Sequence, residues 1–225
     1  LTIPETVNGI KITSIGANAF AGKNITEIIL PDTVTTIGAN AFENCENLKT
    51  IFGRNVVNVE EYAFNNCVWI KNLFLFSALE NIGKYSFANV SSKQNLITGA
   101  TFKLNLKKIT SIPEGCFTNS AISELKLETI SSIGNKAFLQ CDQLVNVNIN
   151  NVSNIPEGCF KGCESLTDVE IHNLTYVPSA LFSSCENLIS INIPDARNVN
   201  SNAFENCVSL LDVKLPSAKT IYSNA

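Results

Sequence analysis

The sequence predicts an α/β repeat fold, a solenoid of about ten short coils with a parallel β-sheet on one side and short helical or 3-10 turns on the other. Three features that recur in phase predict it. Phe20, Phe42, Phe64, Phe87, Phe117, Phe138, Phe160, Phe182 and Phe204 follow one another at intervals of 22, 22, 23, 30, 21, 22, 22 and 22 residues, nearly all preceded by a small side chain. Five residues before each Phe stands Ile or Val, from Ile15 to Val199. Downstream comes an alternating apolar triplet, as in Leu144-x-x-Val147-x-Ile149 and Leu166-x-x-Val169-x-Ile171. A period of 20–50 residues marks stacked repeats, and recognising it decides the architecture.

Each element follows from that spacing. Period-2 alternation of branched side chains reads as a short strand buried on one face. A strand about every 22 residues leaves no room for a long crossover helix, so the rest of each coil must be tight turns plus a turn or two of helix around the Phe. Gly16, Gly38, Gly83 and Gly134, with Pro113, Pro156 and Pro178 at the equivalent place, punctuate the entry to that segment. A single coil cannot bury enough apolar surface to fold alone; stability belongs to the stack. The repeats fill residues 1–225 as one solenoid domain. Residues 1–20, with Val7-Asn8-Gly9-Ile10, form an atypical first coil, and the surplus near 89–100 is a loop insertion. The last repeat stops one residue before the next Phe is due, which suggests that the native chain continues or is capped.

Composition sets further bounds. The chain is 45% hydrophobic and 16% charged with a formal net charge of −4, which speaks against nucleic acid or an anionic membrane surface as partner. Its apolar residues are spread at a regular pitch, with no stretch near the ~18–20 residues that cross a bilayer. Four glycosylation-type triplets, at Asn24, Asn89, Asn151 and Asn173, are what so Asn-rich a chain yields by chance.

The run from Leu30 to Leu48, LPDTVTTIGANAFENCENL, resembles the BspA-like leucine-rich repeat, roughly I-P-x-x-V-x-x-I-G-x-x-A-F-x-x-C-x-x-L. The resemblance covers essentially the whole chain, with Val59-Glu60 and Val199-Asn200 departing from Ile-Gly. It implies a right-handed leucine-rich-repeat solenoid within a secreted or surface-attached protein, extracellular or at the cell surface, that mediates adhesion. Host matrix or cell-surface proteins would be the partners. It supplies no catalytic residue.

The candidate chemistry fits that reading. Cys45, Cys67, Cys141, Cys163, Cys185 and Cys207 lie three residues after the repeat Phe, and Cys116 and Cys159 directly before it. These are structural slots for a small apolar side chain, read as buried free thiols rather than bridges or a zinc site. His172, the only histidine, follows a strand and has no nucleophile motif beside it. Glu124, Asp168, Glu170 and Asp212 fall at outward strand positions, a solvated face rather than a glycosidase pair. Neither enzyme nor cofactor is expected.

The outward positions carry the binding signal. Ile29, Phe52 and Phe74, with Thr50 and Asn72 beside them, put an apolar stripe where later coils have charged or amide groups. Such a stripe marks an interaction site for a protein ligand; a mutual aromatic ladder or burial under a neighbouring domain accounts for it equally well. The Asn-rich later coils could hold a glycan. A binding module and a structural spacer that presents another domain are the two functions in play.

Overall fold

The computed structural model describes residues 1–70, 76–91, 106–126 and 129–225, the side chains of 124–126 excepted. The strands Glu27–Ile29 and Thr50–Phe52 pair in parallel, and Thr2 adds a bridge to Ile29. Five more, Glu124–Lys126, Asn146–Ile149, Asp168–Ile171, Ser190–Asn192 and Asp212–Lys214, pair in parallel in chain order. Register is in phase with the repeat, Val147 against Val169 and Val169 against Ile191. Because side chains alternate across a strand, these residues are buried while Asn148, Glu170 and Asn192 stand on the outer face.

The repeat phenylalanines form one column. Nine rings stack in series from Phe20 to Phe204 with centroids 5.3 to 5.9 Å apart. The seven from Phe42 to Phe182 are fully buried. Phe87 and Phe117, thirty residues apart in sequence, are 5.8 Å apart in the column. The insertion expected near 89–100 is described only as far as Ser91. Within residues 1–20, Thr6–Val7 and Ile10–Lys11 pair antiparallel around Asn8 and Gly9, both at positive φ. Asn-Gly in that conformation is the favoured two-residue hairpin turn.

The turn side corrects the sequence reading. No helix, α or 3-10, is found among the described residues. Instead, N–H groups alternate in direction. Ala41, Glu43 and Cys45 donate back three residues within their own coil, to Gly38, Asn40 and Phe42; Asn40, Phe42 and Asn44 donate across to Glu61, Ala63 and Asn65 of the next. A helix would need every N–H for itself, so sharing half of them with the neighbour replaces it by a ladder of turns. What keeps the turns from winding up is a left-handed residue two before and two after each Phe. All eighteen such positions have φ between 52° and 71°, and Asn holds eight of them and Gly four. Asn and Gly tolerate that conformation best, so the abundance of Asn has a backbone cause.

A second, shorter ladder runs through the Ile or Val five residues before each Phe. It is whole from Ser14–Ile15 through Thr36–Ile37 and Asn58–Val59 to Asn81–Ile82. It resumes as Ser111–Ile112 with Ser132–Ile133, then as Tyr176–Val177, Asn198–Val199 and Thr220–Ile221. Each break coincides with proline. Gly38, Glu60, Gly83, Gly134 and Asn200 donate their N–H to the preceding coil at this slot, whereas Pro113, Pro156 and Pro178 have none to give. Gly and Pro are therefore not equivalent here. Gly83 and Gly134 serve close approach, since a Cβ on them would stand 2.3 and 2.4 Å from the backbone nitrogens of Glu61 and Glu114.

Candidate functional site

Ile29 and Phe52 are register partners on adjacent strands, 38% and 39% exposed. Larger apolar exposure occurs in the first and last coils, as at Ile10 and Leu211, where the stack offers a neighbour on one side only, and at the single positions Val145, Tyr176 and Ile189 within the stack. Ile29 differs from the end residues, because Thr2 flanks it on one side and Phe52 on the other. Its exposure is not an end effect. Thr50 sits two residues before Phe52 on the same strand face, half-buried and paired with Glu27. The structure thus brings together Ile29, Phe52 and Thr50; Asn72 and Phe74 lie outside the described residues.

An open groove of about 500 Å³ borders the pair, lined by Ile29, Leu30, Pro31, Asp32, Phe52, Gly53 and Arg54. Gly53 lets the chain pack tightly on the core beneath the groove, since a Cβ on it would stand 3.1 to 3.3 Å from buried Leu30, Val56 and Phe76. Arg54 Nε lies 3.5 Å from Asp32 Oδ1 across the coils, both side chains largely exposed. An apolar centre with a charged, wet rim is the anatomy of a protein-binding patch. The sequence reading missed Asp32, Gly53 and Arg54 because they follow the strand triplet; the signal was the equivalent phase of Asp32 and Arg54 in successive coils.

Farther along the same face the outward groups satisfy one another. Asn148 Nδ2 donates to Glu170 Oε2 (3.3 Å), His172 Nε2 lies 3.2 Å from Glu170 Oε1, and Ser190 Oγ donates to Asp168 Oδ1 (2.9 Å). Lys214 Nζ lies 2.8 Å from Asp212 Oδ2, and that hydrogen bond holds the ammonium above its usual pKa. A shallow depression of about 300 Å³ lies over Asn146, Asp168, Glu170, Ser190 and Asn192, walled by other strand residues. It holds Asp168 and Glu170 in a hydrogen-bonded, solvated row.

The eight cysteines are free thiols. The six that follow Phe by three residues each donate Sγ–H to the carbonyl of the preceding coil's Phe, as Cys67 does to Phe42 (3.1 Å) and Cys163 to Phe138 (3.2 Å). Burial pushes the thiols of both sets up, Cys116 and Cys141 to about 12 and the less buried Cys207 to about 11. A thiol so protonated is a hydrogen-bond donor and a poor nucleophile. Among the described residues no three His, Cys, Asp or Glu side chains are placed to hold a metal, and no helix is long and apolar enough to cross a membrane.

The chain matches the BspA type leucine rich repeat region over residues 13–111 and 110–225, in six copies. Two solved structures share its fold. A leucine-rich repeat protein of T. pallidum superposes with a TM-score of 0.50 at 20% identity, covering 84% of this chain and 77% of that one. A leucine rich cell surface protein of Faecalibacterium prausnitzii gives 0.52 at 18% identity, covering 95% and 86%. Both place the stacked parallel strands in the right-handed leucine-rich-repeat solenoid. No curated protein matches.

Proposed function

Because the chain belongs to the BspA-type leucine-rich-repeat family, we propose that it is an extracellular or cell-surface adhesion module holding a protein ligand on its sheet face. Ile29 and Phe52 are the anchor and Thr50 flanks them; Asn72 and Phe74 share their phase in the sequence repeat and are taken as part of the same stripe. Leucine-rich repeats are generally protein-interaction modules, and the F. prausnitzii protein of the same fold is described as a cell surface protein. The single observation behind the choice of site is an apolar pair exposed within the stack beside a groove with a charged rim. Matrix or cell-surface proteins of a host are the partner class this reading takes.

The test is retention of the fluorescently labelled chain on cultured epithelial cells and on immobilised extracellular matrix. Phe52→Ser, alone and with Ile29→Ser, should weaken retention at least about tenfold, the cost of truncating a central anchor, with an unchanged melting curve. Equal retention by the wild type and the folded double variant would remove the site. No retention by the wild type would favour a spacer that only presents another domain.

A further inference from the structure

Besides the Phe column and the Cys Sγ–H bonds, which also join the Phe138 and Phe160 coils, the seams between coils are closed by three backbone ladders: the sheet, the turn ladder and the short ladder that proline interrupts. The seam between the Phe42 and Phe64 coils shows the last two intact. Thr36 pairs with Asn58 and Ile37 with Val59, and Asn40, Phe42 and Asn44 all donate across the turn side at 2.8 to 3.0 Å. The seam between the Phe138 and Phe160 coils does not. Pro156 removes the short ladder, and of the three turn bonds only Gln140 N–H to Lys161 O (2.8 Å) is made; among the described residues, Lys136 and Phe138 donate to no carbonyl of the next coil.

Proline alone is not the cause. At Pro113 and Pro178 the short ladder is equally absent, yet all three turn bonds persist: Tyr85, Phe87 and Asn89 donate to Glu114, Cys116 and Thr118, and Gly158, Phe160 and Gly162 to Ser179, Leu181 and Ser183. An open depression of about 720 Å³ runs along the turn side from Glu114 to Ala180 and crosses this seam between Lys136 and Gln140 on one coil and Gly158 and Lys161 on the next, while the Phe138 and Phe160 rings beneath stay 5.3 Å apart. The sheet side of that seam is the opposite case. Its two strands are four residues long and paired throughout, Asn146–Ile149 against Asp168–Ile171, and Asn148 bonds Glu170 across them.

We propose that this seam is a hinge: the coils up to Phe138 and those from Phe160 on move as two blocks that pivot about the Asn146–Ile149 and Asp168–Ile171 pair and part on the turn side. A bending point needs one continuous element and a loss of restraint opposite it, and the seam supplies both. In a stack held by nearest-neighbour interfaces, a seam with fewer backbone bonds on one side is where cooperative units divide. Pivoting there changes the curvature of the sheet face without breaking a strand pair.

Native-state hydrogen exchange of the whole chain at increasing, sub-denaturing urea tests this. The expected result is two sets of amides that open separately, with the boundary between Phe138 and Phe160. Pro156→Glu, which copies Glu60, whose N–H bonds Ile37 in the same slot, should restore the missing bond and merge the two sets, while Pro178→Glu leaves the boundary in place. One common opening across the wild-type chain, or a boundary at Pro113 or Pro178, overturns the proposal. If Pro156→Glu does not fold, the wild-type boundary decides. Folded Pro156→Glu that keeps two separate sets also overturns it.

Discussion

Thr50-Ile51-Phe52 and Asp168-Val169-Glu170 hold the same place in their coils, eight to ten residues after the repeat Phe. Ile51 and Val169 are equally buried, at 1% and 2% exposure. On the other face of the same strands one coil presents Phe52 beside a groove and the other presents Glu170 bonded to Asn148 and His172. The inward residue answers to the column of the stack and has almost no choice. The outward residue answers to whatever the face meets, so similarity among repeats describes the scaffold, and dissimilarity is where binding is to be sought.

Substitutions should separate the two kinds of position by size of effect. Phe64→Ala, which empties a fully buried rung stacked between Phe42 and Phe87, should cost about 3–5 kcal/mol in a urea melt; a loss below about 1 kcal/mol would mean that the column is not the core. Asn44→Val puts a β-branched side chain at φ 58° and should cost about 1–2 kcal/mol, while Asn44→Gly should stay within a few tenths. Equal melting of the two would show that the left-handed conformation is not what selects Asn. On the outer face, Asp168→Asn with Glu170→Gln should shift stability by no more than about 0.5 kcal/mol. The gentlest probe changes no residue: under native conditions a thiol reagent should label Cys207 first and the seven buried thiols only on unfolding, read by mass spectrometry of the digested protein.

The column, the strand triplets and the cysteine slots were legible in the sequence, because each depends on an inward side chain that the repeat must keep. The turn side was not. Its shape depends on backbone N–H groups of Phe42 or Asn44 choosing between their own coil and the next, a choice that leaves no mark on hydrophobicity. The mark it does leave, Asn or Gly two residues either side of Phe, was hidden by the general abundance of Asn. Gly38 and Pro113 share a slot and both suit a turn, so their opposite effects on the short ladder appear only when donors are counted. For the candidate site, Ile29, Phe52 and Thr50 stood out as outward positions, whereas Arg54 and Asp32 required the coil's exit geometry.

The equal rung height between Phe87 and Phe117 also has a use. If thirty residues climb one step as well as twenty-two, coil length is decoupled from stacking, and foreign peptide becomes cargo that the scaffold can carry at no cost in alignment. An epitope of eight or so residues grafted after Asn66 or Gln140, the counterparts of Asn89 in other coils, would be displayed at a chosen height along the rod, making the molecule a ruler with movable pegs.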